Sequence, residues 1–255
     1  MEESRIVRQG RLEAKPLVLS DVVEVLKLGL TDFLSAPAYG LFFSGVYVVA
    51  GVVLSQFGAG LFTWTLTLTL GFPLIAPFLA VGLYEVSRRL EMREELEFPI
   101  VLSVVWQERT RQIPWAGAVL LIYFLFWSFV AHMIFALVMG PQALLGPPED
   151  LASYLSGPGL VMIGVEMVFG AACAFLLFAL TAISLPLLLD REVDFVTAMR
   201  FSLSVTRANP LVMLIWAATI AALTLLAMVP MFFGLLVVLP VLGHASWHLY
   251  RRAVV

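Results

Sequence analysis

Glu166 is the only acidic residue deep in a long apolar run of this chain. An ionisable side chain in hydrocarbon costs roughly 2.5–3.5 kcal/mol on insertion scales, so its position calls for a partner. His132 stands in the preceding apolar run, seven residues before Met139, while Glu166 stands eight residues after Pro158. At helical rise both lie about 11 Å below the same face, where a pair between adjacent antiparallel helices would ease the burial penalty and fix their register. The functional alternative is a proton or cation site in the outer leaflet. One acid without a relay of others makes a poor pathway, so the structural pair is the preferred reading.

His244 and His248 form a second pair of interest. Four residues apart, they share one helical face, and such spacing can bind a metal or supply a haem ligand. Trp247, Tyr250, Arg251 and Arg252 surround the second histidine, however, and that composition is an ordinary interfacial belt. Cys173 is the only cysteine, which excludes an internal disulfide and any thiolate cluster from this chain alone. The ten methionines are scattered and read as core filling. No phosphate-binding loop, His-Glu-x-x-His metal motif or nucleophile elbow occurs. The expectation is a protein that is not an enzyme and needs no cofactor.

The elements that position these residues follow from composition. The 255 residues are 61% hydrophobic and only 13% charged. A soluble domain is near 45–50% apolar and about 25% charged, so lipid is the main solvent here. A formal net charge of −3 leaves no electrostatic footprint for nucleic acid. The expected fold is all-α, a polytopic membrane bundle of about six transmembrane helices in one membrane domain over 21–255, preceded by a flexible tail over 1–20. Spans are expected near 39–54, 61–84, 115–139 and 160–189, with two more in 211–249 joined near Pro230. Pro73 and Pro77 should bend the second. The fourth, about 30 residues long, must tilt, project or bend at Pro186.

Between the spans lie amphipathic stretches expected along the membrane surface. In 21–35 the apolar positions are Val22, Leu26, Leu30 and Phe33; in 190–209 they are Phe195, Met199 and Leu203. Pro37, Pro114 and Pro210 each close such a stretch and open a hairpin, which gives a threefold repeat of approximately 21–84, 85–189 and 190–252. Sixteen residues before the proline stand Asp21 and Asp194, and ten before it Lys27 and Arg200. The middle copy has Phe98 and Val104 at those offsets. All 15 Lys and Arg fall on one side of this topology. Both termini are therefore expected in the cytoplasm, the chain being a multi-pass protein of a bacterial inner membrane.

The run Leu19-Ser20-Asp21-Val22-Val23, then Gly29 to Leu34, Pro37, and Gly40 to Gly45, resembles a bacterial family of predicted integral membrane proteins of unknown function. The resemblance covers most of 19–250. Some members carry a cytochrome c oxidase subunit label. Three histidines are too few for the haem and copper ligands of an oxidase catalytic subunit, so the resemblance implies an accessory or assembly partner of a larger membrane complex, with the lipid bilayer as the other partner. A small-solute or ion transporter is the alternative.

Overall fold

The computed structural model describes residues 12–56, 72–140, 154–155 and 157–254. The protein is an all-α membrane helical bundle. Its helices are α1 (Leu19–Ser35), α2 (Pro37–Gln56), α3 (Phe72–Met92), α4 (Phe98–Glu108), α5 (Ile113–Met139), α6 (Gly157–Thr181), α7 (Ser184–Asp190), α8 (Phe195–Ala208), α9 (Pro210–Met228) and α10 (Leu235–Ala253).

Ile113–Met139, Gly157–Asp190 and Pro210–Met228 are long and apolar enough to cross a bilayer, and α1 with Pro37–Ala50 passes the same test as a pair bent by 101°. Among the described residues this gives three to four candidate spans rather than six. The difference lies in α3 and α10. The outer part of the expected second span, Leu61–Gly71, falls outside the described residues, and α3 and α10 both end in arginine-bearing turns. The helix α3 runs on through Pro77.

Proline sets the corners. The residue before a proline is pushed out of helical geometry, and its ring fits the first turn of a new helix. Ala36, before Pro37, has φ −139° and ψ 56°; Asn209, before Pro210, has φ −129° and ψ 51°. The corner before Pro114 is different: Ile113 is already helical, Pro114 is the second residue of α5, and the flanking Gln112 has φ −91° and ψ −20°. The first and third corners thus share one backbone shape, and the middle copy departs in conformation as it does in sequence.

The long fourth span breaks at residues 182–183, where the ring of Pro186 and its missing N–H disfavour a straight helix at the Ala182 carbonyl four residues back. Ser202 of α8 bridges the break. Its hydroxyl accepts from the Ile183 N–H at 3.1 Å and donates to the Ala179 carbonyl at 2.7 Å, the two groups that an unbroken helix would pair.

The most extensive helix pairing joins α1 to α10, and α10 also packs on α2 and α3. Gly29 makes the first contact possible, since a Cβ there would meet the Val241 carbonyl and lie 2.7 Å from the Ala245 nitrogen. The buried positions of α1 are Val22, Val25, Gly29 and Phe33, while Leu30 is exposed. The expected face of Val22, Leu26, Leu30 and Phe33 is therefore turned, because α10 claims it rather than lipid. In α8 the buried set is Ala198, Met199, Phe201, Ser202, Val205 and Thr206, with Met199 as expected.

The flexible tail expected through residue 20 is fixed from residue 12 onward. Ala14 bridges to Val254, the Lys15 N–H donates to the Ala253 carbonyl at 2.9 Å, and Leu17 is buried.

Candidate functional site: the charged end of the bundle

The last turns of α10 carry a row of polar side chains, and between them they reach three other helices. Trp247 Nε1 donates to Glu91 of α3 at 3.1 Å, and His248 Nε2 lies 2.8 Å from Asp32 of α1. The Tyr250 hydroxyl donates to Asp190 of α7 at 2.5 Å. Arg251 pairs with Glu91 at 3.1 Å, and Arg252 with Asp21 at 2.5 Å and Glu24 at 2.6 Å. One helix end therefore ties together α1, α3 and α7. The aromatic and basic belt read from sequence is present, but it faces inward onto carboxylates.

Glu85 is fully buried, and both following arginines fold back onto it: Arg88 Nε at 2.7 Å and Arg89 Nε at 2.6 Å. Exposed pairs of this spacing contribute little to stability. The burial changes that, because removing the arginines would strand a charge in a desolvated place. The Glu-x-x-Arg-Arg spacing was the available signal, since positions three and four apart share a helix face. Glu108 ends α4, accepts from Arg111 at 2.7 Å, and keeps a buried Oε2 without a hydrogen-bond partner among the described residues. Burial pushes its carboxyl above the ordinary glutamate value; Arg111 pulls it back and nearby Glu85 adds to the rise.

Asn209 is the other residue that sequence reasoning missed. Its Oδ1 accepts from the Leu17 N–H at 2.7 Å and its Nδ2 donates to the carbonyls of Lys15 at 3.0 Å and Val205 at 3.1 Å. The N-terminal strap is thereby locked to the α8–α9 corner. Asp194 caps α8 by accepting from the Thr197 N–H at 2.9 Å, and the Thr197 side chain first, with that N–H second, holds its carboxyl below the ordinary aspartate range. Asp21, at the matching repeat position, accepts from the Val18 N–H at 2.7 Å and pairs with Arg252. Lys27 and Arg200 are both exposed.

The two histidines of α10 do not converge. His248 is engaged by Asp32, whereas fully buried His244 has Nδ1 2.8 Å from the Ser87 hydroxyl and Nε2 without a partner among the described residues. No group of three or more metal-ligating side chains occurs there either. His132 and Glu166 are brought near one another on packed helices α5 and α6, close enough for His132 to act electrostatically on Glu166. No hydrogen bond joins them among the described residues. His132 is exposed at the side of the bundle, and its Nδ1 donates to the Ser128 carbonyl at 2.7 Å. The α5–α6 register is instead held by Tyr123, whose hydroxyl donates to the Cys173 carbonyl at 2.7 Å.

A transport path would need hydroxyls free to line it. Ser44, Thr181 and Thr219 donate to carbonyls of their own helices at 2.7–2.8 Å. Thr63, Thr65, Thr67 and Thr69 lie outside the described residues.

Residues 65–190 match the family described as predicted integral membrane protein (DUF2189). That family's match takes in α3 through α7, and with them the Glu85 and Glu108 clusters, His132 and Glu166. The Leu19 to Gly45 run that carried the resemblance lies before it. No curated protein and no solved structure matches the chain.

Proposed function

We propose that the protein is a non-catalytic scaffold or accessory partner of a larger inner-membrane complex, with both termini in the cytoplasm. The observation that carries this reading is the direction of the charged groups at the α10 end. The carboxylates of Asp21, Asp32, Glu85, Glu91 and Asp190 are engaged by side chains of the same chain. Such an arrangement makes a rigid body and presents no acid, base or nucleophile to a substrate. The sides of the bundle are the reverse, with Ile122, Phe126, Phe129 and Leu137 on α5 and Met167 and Val168 on α6 exposed. Apolar sides suit lipid and membrane-embedded partners alike. The oxidase subunit label that the sequence resemblance implies makes a respiratory complex the first partner to seek.

Gentle purification from the native membrane, with identification of whatever accompanies the protein, is the test. A reproducible set of membrane subunits is the expected result; purification alone, at the same yield in several mild detergents, overturns the reading. One observation favours a small-solute or ion transporter instead: Glu166 inside a span beside His132. If Glu166→Gln left the fold intact and abolished a proton- or cation-dependent flux in vesicles, that reading would replace the scaffold.

A further inference from the structure

Helix α1 carries three kinds of surface rather than two. Val22, Val25, Gly29 and Phe33 are buried against the bundle. Ser20, Glu24, Lys27 and Thr31 form an exposed polar face. Between them, within a sector of about 60° on a helix of 3.6 residues per turn, lie Leu19, Val23, Leu30 and Leu34. These are 49%, 53%, 44% and 66% exposed. An ordinary surface helix has one apolar stripe, which faces the core. Among the described residues the second stripe has no occupant.

We infer that this stripe lies in the lipid leaflet at the boundary between headgroups and acyl chains, and that α1 is an in-plane lipid-facing edge of the bundle. Continuity is the first argument. At the 101° bend α1 passes into α2, whose Leu41, Phe42, Val46, Val49 and Val53 are also exposed, so two apolar surfaces meet at one elbow as a helix lying in the membrane plane meets a helix crossing it. Rigidity is the second. Arg252 holds Asp21 and Glu24, and His248 holds Asp32, so the stripe cannot roll inward to hide. Polarity is the third: Lys27 and Thr31 border the stripe on the side away from the core, where the headgroup layer would accept them. The occupant is a lipid surface, whatever complex the protein serves.

Spin labels on cysteines introduced at Val23, Leu30, Leu34, Ser20 and Thr31, in a Cys173→Ala background reconstituted into phospholipid vesicles, test this directly. All five positions are exposed, so the labels disturb no packing. Labels at 23, 30 and 34 are expected to show several-fold higher collision with oxygen than with a water-soluble nickel chelate, and those at 20 and 31 the reverse. Nickel access at 30 and 34 equal to that at 31 would place the stripe in water and overturn the inference. Exclusion of both reagents would do the same, since it would mean that a protein surface or a second copy covers the stripe. Leu30→Trp, read as the difference in emission from the parent protein with its six tryptophans, gives an independent reading: quenching of the added emission by brominated lipid is expected, and an undiminished difference refutes the assignment.

Discussion

Glu108 is a carboxylate that burial works against. Its folded-state value is raised, so the folded protein binds a proton more readily than the unfolded chain. Protonation then favours folding: its unfavourable contribution is full above the folded value, shrinks as pH falls through it, and vanishes below the ordinary glutamate value of about 4.3. Glu108→Gln should therefore raise the thermal midpoint at pH 7–8 and flatten its rise toward acid, as measured by unfolding in one detergent across pH. Asp194 runs the other way, because its lowered value makes stability present above the ordinary aspartate range and lost as pH falls through the folded value. A variant whose profile is unchanged would show that Glu108 is solvated. Ser202 makes a sharper residue-scale case. Ser202→Ala leaves the Ile183 N–H and Ala179 carbonyl without their bridge, at a cost of about 1–3 kcal/mol in a denaturant titration. A smaller loss would mean that α6 and α7 reclose into one straight helix.

At the scale of elements, the corners were the most legible part, since Pro37, Pro114 and Pro210 each fall within the first two positions of a new helix. The amphipathic period of α1 was legible too, but not its orientation. Periodicity reports that a helix has an apolar side; it does not report whether protein or lipid takes it, and in α1 both do. The small residues of α6 have the composition of a close helix contact, yet a Cβ at Gly164 would meet nothing within 4 Å, and at Gly170 only Trp127 at 3.6 Å. Close approach is needed instead at Gly29, a lone glycine with no small-residue pattern to announce it. Gly29→Ala is expected to cost about 1–3 kcal/mol by forcing α1 off α10, whereas Gly164→Ala should be neutral. Equal midpoints for the two variants would mean that the α1–α10 contact yields without strain.

For the whole molecule, composition sufficed to identify a helical membrane protein, because no soluble core could hide so much apolar surface. The candidate site was only partly legible. The ion pairs joining Asp21 to Arg252 or Glu91 to Arg251 connect residues far apart in sequence, and nothing local in either segment names the other. Orientation rests on the one-sided distribution of Lys and Arg. Cysteine labelling from outside the cell should reach probes at Gln142 or Ser153 and miss those at Arg93 or Arg252. The opposite accessibility would invert the topology.

The α1–α10 contact bears on how the chain is made. Arg252 and Asp21 are separated by 231 residues, so the ion pair that holds α1 in place cannot form until α10 has been synthesised. Until then Val22, Val25 and Phe33 lack the helix that covers most of them, and the nascent helix exposes two apolar sectors where the folded one exposes one. During translation α1 should sit deeper in the leaflet than it does at the end, and the arrival of α10 should draw it out. The arrival of α10 would thus release α1 from the lipid and set its roll about its own axis.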